Sequence, residues 1–270
     1  MDKSKKRAYE IIETYIEKAK DLEFVDSIYL VGSLSDDTYT GNPGSDIDLV
    51  HIVSDDVDYQ REKTAIVRII EETEQQTDHD IAISRVVFQN QHLRHPYKYD
   101  FELLHENMDL VNRPIEVFRI LDSGKILLGN DSKEQLERPT REDIVESERM
   151  QKRILFDLEK NDPAFYEQYA EMHKHPTLRM LTQTVLTTAM SDYLYYTDKS
   201  CSSKYYILER IEQDIPDFKY LNLLRLCHKN RFDSAHLTEL EKQCMYDEYT
   251  KVFLTKPDTW LSDNEDMRNE

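Results

Sequence analysis

Apolar residues recur at three- and four-residue spacing between Lys5 and Leu22, where Ala8, Ile11, Ile12, Tyr15, Ile16 and Ala19 fall on one stripe. That period predicts an amphipathic helix. Two short β-rich runs follow, SIYLVGS (27–33), which ends just past a glycine, and IDLVHIV (47–53), which leads into Ser-Asp-Asp. Both read as strands. Helical spacing returns over REKTAIVRIIEETEQQ (61–76), and DIAISRVVF (80–88) reads as a third strand. YDFELLHEN and PIEVFRIL predict further extended or short helical pieces, and DSGKILLGND a turn-rich stretch. A small mixed sheet flanked by helices is expected for this half.

After Pro139 the texture changes. TREDIVESERMQKRILFDLEK opens on Thr140-x-x-Asp143, the spacing of a capping box, and continues as a helical stripe. TLRMLTQTVLTTAMSDYLYYT, SKYYILERIEQDI, LNLLRLCHKN and HLTELEKQCMYDEYTKVFL all read as helix. The expected fold class is α+β, with a mixed domain over 1–139, an all-α bundle over 140–262 and an acidic tail over 263–270 that frays.

Composition narrows the function classes. The 270 residues are 39% hydrophobic and 33% charged, so a packed core is expected. Lys+Arg of 35 against Asp+Glu of 54 gives a net charge of −19. Such a surface repels a nucleic-acid backbone and suits a cationic small molecule. No apolar run reaches the length of a membrane span, and the N-terminal residues lack the apolar centre of a signal peptide. Cys201, Cys227 and Cys244 stand far apart and read as reduced thiols, which suggests the cytoplasm. QHLRH (91–95) and HKHP (173–176) lack the cysteines or H-E-x-x-H pattern of a zinc site. Neither a Walker loop nor a G-x-S-x-G elbow occurs. The tyrosine pairs 195–196 and 205–206 fall on predicted helices and read as packing.

The chemistry concentrates in VGSLSDDTYTGNPGSDIDLVHIV (31–53). Two carboxylates stand at the mouth of a buried strand, where ionised groups are costly. Strand alternation puts Asp46 and Asp48 on one side with Ile47 opposite. Carboxylates held that way offer the hard oxygens that Mg²⁺ prefers. Gly32 lets backbone approach a phosphate closely, and Ser33 adds a hydroxyl and an N–H. Asp80, expected to open the third strand, would supply a third carboxylate, with Asp78 as the fallback on the same face.

Gly32-Ser33, a spacer with Gly41 and Gly44, then Ser45-Asp46-Ile47-Asp48 and a later strand acid resemble the signature of the nucleotidyltransferase superfamily related to DNA polymerase β. HDIAISRVVF, HPYKYDFELLHEN, ILDSGKILLGNDSKEQLERPTREDI and TTAMSDYLYYTDKSCSSKYYILERI are further similar to segments of aminoglycoside adenylyltransferases acting on streptomycin and spectinomycin. The resemblance implies transfer of AMP from ATP to a hydroxyl of a small polar acceptor, release of pyrophosphate, and a role in antibiotic resistance. It implies Mg²⁺ on Asp46, Asp48 and Asp80, with Asp80 as catalytic base where those enzymes carry glutamate. It further implies nucleotide contacts from Gly32, Ser33, Ser45 and Lys204. Asn107 stands where that family places a tryptophan, and TLRMLTQTVLTTAMS lacks that family's carboxylate, so altered acceptor recognition is expected. Two other functions are compatible with the motif: nucleotidylation of a protein partner, and nucleotide binding without turnover.

Overall fold

The computed structural model describes residues 3–41, 45–162, 164, 167, 176–233 and 237–254. The chain divides into two compact units, Met1–Pro139 and Thr140–Glu270. The acidic tail and the HKH of HKHP lie outside the described residues.

In the N-terminal unit a four-stranded mixed sheet has the order β3-β2-β1-β4. Its strands are β1 (Val25–Leu30), β2 (Leu49–Val53), β3 (Val86–Gln89) and β4 (Lys125–Gly129). β1 is antiparallel to both β2 and β4, while β2 and β3 are parallel. All five residues of β2 are buried, as a strand covered on both faces requires. α1 (Lys3–Ala19) and α3 (Tyr59–Gln76) pack against each other, and their Ala8, Ile11, Ile12, Tyr15, Ile66 and Ile70 share one core with Ile28, Leu30 and Leu49 of the sheet. α3 begins where it does because the Asp58 side chain accepts the Arg61 N–H (3.2 Å).

One polar residue inside that core is fully accounted for. The Nδ1 of His51 donates to the Val86 carbonyl (2.8 Å), which leaves Nε2 to accept the Tyr15 hydroxyl proton (2.7 Å). Burial pushes the imidazole down to about 4, so it stays neutral and ties β2 to β3 and to α1.

Two expectations need correction. The third strand begins at Val86, not at residue 80; before it only Ile83 bridges, to Ile47. The chain leaves α3 through Asp78 and His79, both left-handed (φ 57° and 54°). Buried Glu74 then takes the Ile83 N–H (2.8 Å) and the Arg85 guanidinium (3.2 Å), pinning the segment to the end of α3. The second correction is β4, which lies in the stretch expected to be turns. KILLG is short and partly exposed, and pairing along β1 supplies the hydrogen bonds that make it a strand.

The 101–123 region resolves as helix, with α5 (Phe101–Glu106) and α6 (Arg113–Ser123) joined by a 3₁₀ turn (Met108–Asn112) and preceded by the short α4 (Asn90–Leu93). The C-terminal unit is helical: α7 (Arg141–Asn161), α8 (Leu178–Thr197), α9 (Ile207–Asp214), α10 (Leu221–Phe232) and α11 (Glu239–Tyr249). The Thr140–Asp143 capping box forms, with reciprocal bonds at 2.7 and 3.3 Å. The core of this unit joins Leu181, Val185 and Ala189 of α8 to Ile211, Leu224 and Met245. Tyr205 and Tyr206 sit in the turn before α9, not on a helix. Among the described residues no helix is long and apolar enough to cross a membrane.

Candidate active site

The first apolar core decides where the acids go. Ile47 is buried, its N–H donating to Ala82 (2.8 Å) and its carbonyl accepting from Ser84 (2.9 Å). With Ile47 turned inward, Asp46 and Asp48 flank it and both stay partly accessible. The Asp48 carbonyl accepts from Val31 N–H (3.0 Å), so the acid is bonded to the residue just before Gly32. β1 thus ends beside the Asp-x-Asp.

The short helix α2 (Gly32–Ser35) starts at that point. Val31 has no polar side chain to cap it. Gly32 holds φ +68°, and a Cβ there would overlap the Asp48 Oδ2 and lie 2.8 Å from the Arg119 Nη2. Only a glycine fits a left-handed position pressed on a carboxylate in this way. Ser33 and Ser45 are both half-buried, Ser33 in α2 and Ser45 immediately before Asp46.

Arg119 and Glu116 are site residues that sequence reasoning passed over. Arg119 Nη2 lies 2.9 Å from Asp48 Oδ2, and its Nη1 spans both oxygens of Glu116 at 3.0 and 3.1 Å. The side chains of Arg119 and Asp48 are only 13% and 19% exposed. Burial pulls the guanidinium pKa down, but the charges and hydrogen bonds of Asp48 and Glu116 more than offset this and hold it above the ordinary arginine value. The signal was present in PIEVFRIL. Glu116 and Arg119 stand three apart in a helix whose Val117, Phe118 and Ile120 are buried, so their charges needed partners.

Asp80 is placed elsewhere. It lies in the bend after α3, and its Oδ2 receives the Arg7 guanidinium at 2.9 Å. Among the described residues no group of three or more His, Cys, Asp or Glu side chains is gathered as a metal site, so Asp46, Asp48 and Asp80 do not form one cluster. Asp78 lies in the same left-handed turn. Lys204, in the C-terminal unit, is half-buried in the turn before α9. Asn107 is buried, with its Oδ1 accepting from Gln60 (2.5 Å) and its Nδ2 donating to the Leu103 carbonyl (3.1 Å). It closes the end of α5 and is spent on that structural duty.

The first strand of the mixed sheet thus leads into a Gly-Ser turn beside an Asp-x-Asp that lies just ahead of the second strand. Residues 12–115, within the N-terminal unit, match the nucleotidyltransferase domain family. Over 90% of its length the chain is similar in fold to a spectinomycin adenyltransferase, AAD(9), from Enterococcus faecialis, whose crystal structure contains ATP and spectinomycin. The TM-score is 0.53, the identity 15%, and 99% of that chain is covered. No curated protein matches the sequence.

Proposed function

We propose that this chain transfers AMP from ATP to a hydroxyl of a small, polar, cationic acceptor and releases pyrophosphate. The observation that carries the reading is the pair Asp46 and Asp48, which flank buried Ile47, with the Asp48 backbone carbonyl bonded to Val31 just before the Gly32 turn. The donor set suits Mg²⁺, which one or two carboxylates commonly hold together with water and phosphate oxygens. Asp46 and Asp48 would hold the ion, which when bound neutralises phosphate charge and polarises the attacking oxygen. Ser33 and Ser45 offer hydroxyls to the phosphates from either side of the Gly32 turn. The acceptor oxygen bonds to the α-phosphorus as the bond to the bridging oxygen breaks. Pyrophosphate leaves with that electron pair, and the hydroxyl proton passes to a carboxylate of the site.

A net charge of −19 suits a cationic acceptor. With Asn107 turned inward to Gln60, that position offers the acceptor no aromatic face. We therefore place spectinomycin or another hydroxylated amine ahead of streptomycin as acceptor. The test is pyrophosphate release from MgATP across aminoglycosides, spectinomycin and simpler amino alcohols, with Asp46→Asn as the inactive control. Release with one acceptor and none from the variant supports the reading; equal release from both overturns it. The pairing of Asp80 with Arg7 favours one other reading, nucleotide binding without turnover. ATP binding with no release in the whole screen would select it.

A further inference from the structure

The strongest unabsorbed feature of the site is a cation where a metal ion is to be held. Arg119 occupies Oδ2 of Asp48 at 2.9 Å, and the same Nη2 faces the position a Cβ would take on Gly32. It is a fork anchored from behind, since both oxygens of Glu116 hold Nη1. Its helix is fixed as well: Val117, Phe118 and Ile120 are buried, α6 packs against α2, and the Ser35 hydroxyl donates to the Ser123 carbonyl. The guanidinium is thus a built part of the turn, not a surface side chain that drifted onto an acid.

We propose that Arg119 is a positioning residue of this site that makes divalent-metal binding at Asp46 and Asp48 depend on an anionic nucleotide. The inference rests on the proposed function for the role of those two acids. The three joined groups Asp48, Glu116 and Arg119 carry −1, −1 and +1, a formal −1 in a partly buried space. A lone divalent cation meets a carboxylate already engaged on one oxygen and a positive charge beside it. A metal–triphosphate brings its own anionic oxygens, which the same guanidinium attracts. One side chain therefore discourages the free ion and welcomes the complex. Removing it takes these groups to −2, and a unit charge at this range, screened nearly as in water, is worth on the order of a tenfold change in affinity.

The experiment is Mn²⁺ titration of the full chain, followed by electron paramagnetic resonance of free ion, with and without α,β-methylene-ATP. Arg119→Met is expected to bind Mn²⁺ alone about tenfold more tightly than wild type, and to gain less on adding the nucleotide. Arg119→Lys keeps the charge and is expected to bind Mn²⁺ as wild type does. Glu116→Gln, a nearly isosteric change that retains the guanidinium, is expected to weaken Mn²⁺ binding severalfold. The proposal is overturned if Arg119→Met binds Mn²⁺ alone as weakly as wild type or more weakly, or, should that variant not fold, if Glu116→Gln leaves the affinity unchanged. Failure of the underlying reading looks different: wild type and Asp46→Asn would then titrate alike, with nucleotide present or absent.

Discussion

Gly32→Ala puts one methyl group at the most crowded point of the site. At φ +68° an L-residue is strained by about 1–2 kcal/mol. The added Cβ would also overlap the Asp48 carboxylate and press on Arg119, and forcing atoms into a packed space costs a further 1–3 kcal/mol or so. The expected loss is about 2–5 kcal/mol, localised to the N-terminal unit. Gly41→Ala is the matched control. Its φ is +65°, so the backbone strain is the same, and its methyl group overlaps Ser4, in the first turn of α1, rather than the Asp48–Arg119 pair. Its cost in stability should be similar, about 2–5 kcal/mol, but away from the acids. Hydrogen exchange of the β1 and β2 amides reads this unit's stability separately from that of the helices. The protection given by MgATP should also vanish in Gly32→Ala and persist in Gly41→Ala. Nucleotide protection left intact in both variants would show that the Asp48–Arg119 pair does not bear on the turn.

Asp80→Asn is expected to keep nucleotide transfer near the wild-type rate, because Arg7 already engages that carboxylate; a drop of roughly 10²–10⁴-fold in kcat would reinstate it as the general base. MgATP should raise the melting temperature, and the rise should vanish in Asp46→Asn; an unchanged rise in that variant would remove Asp46 from the nucleotide site. In the helical unit, burial pushes the Asp192 carboxyl up to about 6 from 3.8, while the Tyr220 hydroxyl donates to one oxygen at 2.6 Å. The folded state holds this proton more tightly, so the stability it contributes is present below pH 3.8 and is lost as pH rises through 6, about 3 kcal/mol in all. His51 works in the opposite sense in the other unit, where stability falls as pH drops from 6.5 towards 4. Unfolding curves of Asp192→Asn between pH 4 and 7 should lose the first trend only, and an unchanged profile would refute the assignment.

The periodicity of residues 5–22, 27–33, 47–53 and 61–76 was enough to find α1, β1, β2 and α3, because each buries a continuous face that its own spacing announces. The helical character of the second half was legible for the same reason, down to the Thr140–Asp143 cap. Asp46-Ile47-Asp48 also carried its own geometry, since alternation in an extended chain fixes which side each acid takes. What the sequence left open was decided by partners distant in the chain. KILLG becomes a strand through hydrogen bonds from β1, and residues 80–85 fall short of a strand because Glu74 takes the Ile83 amide. Asp80 goes to Arg7, seventy-three residues away. Arg119 reaches Asp48 only once α6 packs over α2. Charge pairing of this kind depends on where whole elements come to rest, and no local period encodes it.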